Sequence, residues 1–121
     1  MLKKGVIDLH EFALVDNIFQ ILNVKINEYK IKKINQIKLV IGEMTGAEEV
    51  TLSACFEVYA KGTVAEGAQL VFERIPLRGK CLECGHEFRV KNYKFICPEC
   101  NVKTVEVVSG REFYIDSLLA E

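Results

Sequence analysis

Two cysteine pairs constrain the fold of this chain more than any other feature of its sequence. Cys81 and Cys84 form one Cys-x-x-Cys pair, Cys97 and Cys100 form the other, and twelve residues lie between the pairs. Two residues between cysteines allow a tight turn to direct both sulfurs at one ion, and four thiolates make a closed tetrahedral site. The pattern therefore predicts a structural metal site. Zinc is the expected metal, and iron in a rubredoxin-like centre is the alternative.

The segment around these cysteines, residues 78–103, is polar and too small to fold on an apolar core of its own. Gly85 and Asn101 follow the second cysteine of each pair, and both tolerate the left-handed backbone that such turns require. Two short strands are predicted between the pairs from four larger side chains, namely Phe88, Val90, Tyr93 and Phe95. His86 is interpreted either as an exposed turn residue or as a donor in the surroundings of the metal site.

Hydrophobic periodicity outside this ribbon predicts an α+β fold, with two helices packed on a small β-sheet. Apolar residues recur every three or four positions in two segments, which predicts helices at about 11–29 and about 48–61. Alternating apolar residues predict four strands, at 34–44, 69–75, 104–108 and 113–115. Cys55 falls in the second predicted helix, where a small buried side chain is expected.

The order of these segments predicts that the metal module is an insertion into the α/β domain. The last strand is expected to return to the first sheet. Residues 1–76 and 109–121 are then one domain, and residues 77–108 are a zinc-ribbon domain.

Composition narrows the class of protein. Half of the 121 residues are hydrophobic, which is enough for a core, and the formal net charge of −1 argues against a dedicated nucleic-acid binder. No apolar run approaches the roughly 20 residues of a membrane span. Charged and polar residues at Asp8, His10 and Glu11 interrupt the apolar stretch that a signal peptide needs. These features predict a cytoplasmic protein without a membrane partner, in which cysteine pairs bind metal rather than form disulfides.

Several short motifs occur in a recognisable order along the chain. They are His10–Val15 (HEFALV), Ile41–Gly46 (IGEMTG), Phe56-Glu57, Gly62–Ala68 (GTVAEGA) and then the cysteine pairs. Together they resemble the HypA-type nickel-incorporation metallochaperones of hydrogenase maturation, over nearly all of the chain from His10 onward. The resemblance implies a carrier that accepts Ni(II) and passes it to the large subunit of a [NiFe]-hydrogenase, or to urease in some organisms. It also implies a HypB-type GTPase as partner, and it leaves a homodimer open.

A nickel site at the beginning of the protein is the second implication of the resemblance. Family members start Met-His-Glu and hold the ion with the terminal amine, the histidine ring and backbone amides, which are donors that suit Ni(II). By this resemblance His10 is the key side-chain ligand, Glu11 is its companion, and Glu48 approaches the site from the start of the second helix. Taken without the resemblance, His10 is a helix-start residue and Glu48 is an acid favoured by the helix dipole.

The chain departs from the family pattern because nine residues, Met1 to Leu9, precede His10. A leucine codon can be TTG, which bacteria sometimes read as a start. We therefore expect a native protein that begins Met-His-Glu-Phe, with the methionine at the position of Leu9. If the extension is native, we expect weaker nickel binding or altered geometry.

Two other functions remain as alternatives. The first is a zinc-ribbon module that binds nucleic acid or docks on a protein. It rests on the excess of cations over acids in the ribbon, which contains Arg78, Lys80, Arg89, Lys91, Lys94 and Lys103 against Glu83, Glu87 and Glu99. The second is an enzyme. It is disfavoured because the sequence contains no nucleophile–base pair, no phosphate loop and no open metal site apart from the inferred nickel site.

Overall fold

A computed structural model describes residues 9–121 of the chain, with the side chains from residue 10 onward. This part contains two α-helices, one short 3-10 helix and six β-strands. In chain order they are α1 (Leu9–Tyr29), β1 (Ile34–Gly42), the 3-10 helix (Glu43–Thr45), α2 (Glu49–Ala60), β2 (Gln69–Ile75), β3 (Arg78–Cys81), β4 (Glu87–Arg89), β5 (Val105–Ser109) and β6 (Phe113–Ala120). The strands form two three-stranded sheets, in the orders β2-β1-β6 and β4-β3-β5. The predicted α+β class is confirmed, and β6 joins β1 as the sequence predicted.

Backbone contacts divide the chain into two compact units. Among the described residues, the first takes in 9–39, 47–72 and 115–121, and the second takes in 40–46 and 73–114. The domain boundaries inferred from the sequence, with a ribbon at 77–108, stay a prediction. Within residues 9–121, no helix has the length and apolar content that crossing a bilayer requires.

The core of the first unit forms where α1 packs on α2. The buried side chains of α1 are Val15, Ile18, Phe19 and Leu22, and those of α2 are Leu52, Cys55, Phe56 and Ala60. The rings of Phe19 and Phe56 lie 5.2 Å apart between centroids, and Tyr59 stacks on Phe19 at 5.6 Å. The predicted stripe on α1 is therefore largely confirmed, and Cys55 is buried. Ile21, another apolar residue of α1, is exposed.

Strand β1 differs from its prediction in two respects. It ends at Gly42 rather than Met44, because Glu43–Thr45 turn into the 3-10 helix. Its second half is also buried on both faces, since Leu39, Val40 and Ile41 are all inaccessible or nearly so. An uninterrupted apolar run is typical of a strand with two covered faces, so the alternation that predicted this strand does not describe its second half.

The second unit is built on the antiparallel sheet β4-β3-β5. Its middle strand, β3, was not predicted, because Arg78–Cys81 contains none of the β-branched or aromatic residues that favour strands. Gly79 pairs with Phe88 on one side and Val107 on the other. A Cβ on Gly79 would lie 2.6 Å from Cγ1 of Val105, so the central position of this sheet requires glycine.

One of the two short strands predicted inside the ribbon is absent from the described fold. Phe88 lies in β4, but the segment that follows turns instead of pairing. Asn92 and Tyr93 have positive φ angles of 54° and 55°, and the amide of Lys94 donates to the carbonyl of Lys91 at 3.0 Å. Two consecutive left-handed residues cannot continue a strand, so the alternation of aromatic residues was misleading here.

Candidate metal centre

The two cysteine pairs adopt the same turn. The amide of Gly85 donates to the carbonyl of Cys81 at 2.9 Å, and the amide of Asn101 donates to the carbonyl of Cys97 at 2.8 Å. Gly85 and Asn101 have φ angles of 79° and 61°, which is the left-handed conformation predicted for both. The residue after each pair thus completes a turn that presents both sulfurs on one side.

The four sulfurs meet in one cluster, with all ligand atoms within 4.8 Å of one another. The Sγ–Sγ distance is 3.4 Å for Cys81 and Cys100, 3.6 Å for Cys84 and Cys97, and 3.8 Å for Cys84 and Cys100. A regular tetrahedron with metal–sulfur bonds of about 2.3 Å has edges of about 3.8 Å. A disulfide would bring two sulfurs to about 2.05 Å. The cluster therefore fits one tetrahedral metal ion and is consistent with a zinc ribbon.

Backbone amides and the short distances between the sulfurs shift the pKa values of the Cys81 and Cys100 thiols. The amide of Cys84, 3.5 Å from the Cys81 sulfur, stabilises its thiolate and lowers the pKa of Cys81 to about 7. The same Cys81 sulfur raises the pKa of Cys100 to about 12, because two neighbouring sulfurs share one proton more easily than they hold two negative charges. A divalent cation removes this conflict, because it replaces the protons and allows all four sulfurs to be thiolates.

Half of the cluster is embedded in the apolar core of the second unit. Cys81 and Cys97 are buried together with Leu77, Phe88 and Val90, whereas Cys84 and Cys100 are exposed. With four sulfurs at the corners, no position is left open for a substrate. The arrangement is that of a structural site rather than a catalytic one.

His86 contributes to the centre through its backbone, which the sequence analysis did not foresee. Its carbonyl accepts the amide hydrogen of Cys81 at 2.9 Å, which holds the first turn closed. Its ring stacks on Phe88, with centroids 6.0 Å apart, and Nε2 lies 3.9 Å from Oε1 of Glu99. The residue is half-buried, so the two interpretations of its side chain both stay predictions.

The structure brings two of the three predicted nickel-site residues into contact, through one side chain and one backbone amide. Oε2 of Glu11 accepts the amide hydrogen of Glu48 at 3.2 Å, and Glu48 is the N-cap residue directly before α2. Glu11 is only 2% exposed, whereas the side chains of His10 and Glu48 are exposed. Oε1 of Glu11 is also buried and has no hydrogen-bond partner among the described residues. The predictions that concern residues 1–8 and the side chain of Leu9 lie outside the described residues.

Comparison with known proteins assigns this architecture to a family. A family model described as "HypA: Hydrogenase/urease nickel incorporation, metallochaperone, hypA" matches residues 9–120. The chain belongs to the HypA family. Curated relatives named "Hydrogenase maturation factor HypA" include one from Dehalococcoides mccartyi, which is 37% identical over 110 residues covering 91% of this chain and 92% of the relative. Another, from Caldanaerobacter subterraneus, is 36% identical over 114 residues covering 93% and 100%.

Solved HypA structures share the fold. One titled "Solution structure of HypA protein" aligns with a TM-score of 0.69 at 22% identity, covering 94% of this chain and 98% of that one. The "Solution structure of the Ni metallochaperone HypA from Helicobacter pylori" aligns with a TM-score of 0.64 at 20% identity, covering 91% and 96%. The HypA family is described by metal incorporation and maturation, which confirms the predicted family and the prediction that this chain is not an enzyme.

Proposed function

We propose that this chain is a nickel carrier that delivers Ni(II) for the maturation of a [NiFe]-hydrogenase. The observation that carries the proposal is the match of the HypA nickel-incorporation family to residues 9–120. Urease is a second possible recipient, since the family description names both enzymes. The HypB-type GTPase and the hydrogenase large subunit remain the proposed partners, and the cytoplasm remains the proposed compartment. A homodimer is an open part of the same proposal, and nucleic acid is not among the proposed partners.

Zinc is the proposed resident ion of the ribbon, held by Cys81, Cys84, Cys97 and Cys100. The sulfur separations support a tetrahedral ion. Zinc fits this role better than iron, because nothing in the family description calls for electron transfer. The ion supplies folding energy to a unit whose core includes two of its own ligands. Elemental analysis of the purified protein tests this point. One zinc per chain is expected, whereas iron with visible thiolate absorption would contradict it.

The cargo, Ni(II), is proposed to bind at the start of α1, with His10 as the key side-chain ligand. The exposed imidazole is a nitrogen donor of the type that Ni(II) favours, and exposure suits a site that must load and release. Glu11 supports this site by holding the start of α1 against the N-cap of α2 through the Glu48 amide. Its buried Oε1 offers an acceptor to a donor group of the loaded site.

A nickel titration of zinc-loaded protein tests the role of His10. The chain contains two histidines, so His86→Ala is a matched control for His10→Ala. We expect His10→Ala to weaken nickel binding at least about tenfold, or about 1.4 kcal/mol, and His86→Ala to leave it within about twofold. Equal nickel affinity in the wild type and His10→Ala would remove His10 from the mechanism.

The same titration tests the expected effect of residues 1–9. Protein that starts at Met1 is compared with protein in which a methionine directly precedes His10. We expect tighter nickel binding by the shorter form, because its terminal amine lies next to the imidazole and both can chelate one ion. Identical affinities would show that the terminal amine is not a ligand.

A further inference from the structure

Helix α2 carries apolar side chains on two opposite faces. One face supplies the core through Leu52, Cys55, Phe56 and Ala60. The other presents Val50, Ala54 and Val58, which follow each other at intervals of four residues and therefore form one stripe. Val50 is 79% exposed and Val58 is 67% exposed. A helix that is apolar on both faces is typical of one that is covered on both, and the first unit covers only one.

A groove continues this stripe toward the outer strand of the sheet. It has a volume of about 570 Å³ and lies between α2, where Val50 and Ala54 line it, and β2, where Leu70 and Phe72 line it. These β2 side chains are only partly buried. Strand β2 stands at the end of the order β2-β1-β6, so the groove follows an edge of the sheet. The stripe (Val50, Ala54 and Val58) and this groove share Val50 and Ala54 and therefore form one continuous apolar surface. We call the whole surface, Val58 included, the α2 groove.

The charges around the α2 groove are mainly negative. Glu49 and Glu57 line it directly. Residues 47–68, which contain α2 and the loop after it, carry four acidic side chains and one basic one, Lys61. An apolar floor with an acidic rim is complementary to a segment that has apolar residues on one side and lysine or arginine on its flanks.

We propose that the α2 groove is a docking surface for a basic amphipathic segment of a partner protein. The surface shares no residue with the cysteine cluster or with His10, so the inference does not depend on which metal the chain carries. A second copy of this chain is a poorer occupant. A two-fold symmetric contact would place Glu57 and its neighbours against the same acidic residues of the other copy, which repels at short range.

The test uses zinc-loaded full-length protein and a synthetic probe. The probe is a helical peptide about four turns long, with leucines on one face and lysines on its flanks. Its control is a peptide of the same composition in which the leucines are shuffled off that face. We expect the amphipathic peptide to bind in fluorescence anisotropy, with an affinity that falls as salt is added, and to shift the amide NMR signals of Val50, Val58 and Leu70.

Two single substitutions with the same change in net charge distinguish peptide binding in the α2 groove from a general attraction to acidic residues. Val58→Lys removes apolar surface at an exposed site, and Val24→Lys on α1, where the valine is 59% exposed, is its matched control. We expect Val58→Lys to lower the affinity for the amphipathic peptide at least about tenfold. Val24→Lys should leave that affinity within about twofold of the wild type. Equal binding of the shuffled peptide, or no loss with Val58→Lys, would overturn the proposal. Sedimentation that shows a dimer dispersed by Val58→Lys would overturn it as well, because a second copy would then occupy the groove.

Discussion

Substituting Gly42 by alanine tests how tightly the backbone of the second unit is packed. A Cβ on Gly42 would lie 2.1 Å from both the carbonyl carbon and the carbonyl oxygen of Gly110, and 2.6 Å from the nitrogen of Arg111. These are backbone atoms, so no side-chain rotation can relieve the clash. The φ angle of Gly42 is −77°, which any residue adopts, so the expected cost is steric and not conformational.

The size of the effect follows from the displacement that alanine requires. To reach an ordinary contact of 3.4 Å the two segments must separate by 1.3 Å. That movement breaks the hydrogen bonds from the Gly42 amide to the Glu112 carbonyl, at 2.6 Å, and from the Met44 amide to the Gly110 carbonyl, at 2.7 Å. Two lost bonds cost about 1–3 kcal/mol together, and residual overpacking adds about 1 kcal/mol. Alanine restricts the unfolded chain by about 0.5 kcal/mol in the opposite direction, which leaves about 1.5–3.5 kcal/mol of destabilisation.

Urea unfolding of zinc-loaded protein, followed by circular dichroism, measures this loss as a lower midpoint at unchanged slope. Gly46→Ala is the matched control, because Gly46 has a φ angle of 69° and no atom within 4 Å of its Cβ position. It should lose only the roughly 1 kcal/mol that a left-handed alanine costs. If Gly42→Ala is no less stable than Gly46→Ala, the inference of a rigid backbone contact is wrong.

Three further predictions concern the second unit. Cys100→Ser removes one thiolate and is expected to reduce zinc affinity at least about tenfold in competition with a chromophoric chelator, whereas Cys55→Ser, at the cysteine outside the cluster, keeps the ion. Wild-type zinc affinity should rise with pH, because binding expels thiol protons, including that of Cys100 with its pKa raised to about 12; an affinity independent of pH would contradict this. Glu43→Ala should destabilise the protein by about 1–3 kcal/mol in urea unfolding, because the Leu77 amide loses the carboxylate oxygen that accepts its hydrogen at 2.8 Å. Glu43→Gln keeps an oxygen at that place and should recover most of the loss; a loss equal to that of alanine would argue against the hydrogen bond.

The parts of this fold that depend on local geometry could be predicted from the sequence. The two cysteine turns are local, because two residues separate the sulfurs in each pair, and the structure places all four sulfurs together. Helix α1 and strand β2 were also predicted almost to the residue, since each has a clear apolar period. The cysteine turns, helix α1 and strand β2 are each signalled by residues that are close together in the sequence.

The parts that failed depend on residues distant in the chain. Strand β3 exists because β4 and β5 pair with it on both sides, which its own four residues do not signal. The burial of Glu11 depends on the Glu48 amide, thirty-seven positions away in the sequence. No periodic pattern marks an acid that accepts a hydrogen bond from the backbone of another helix. The sequence indicated a role for Glu11, but not the contact through which it acts.

Two of the sulfur atoms belong to the same apolar cluster as Leu77 and Phe88, and this has a consequence for the life of the protein in the cell. In a chain synthesised when the ion is scarce, we expect those sulfurs to be held together less firmly, so that the cluster opens more often and exposes cleavable backbone to proteases. Molecules that hold the ion are then expected to outlast those that do not. The abundance of the protein should therefore depend on the local supply of the ion as well as on its rate of synthesis.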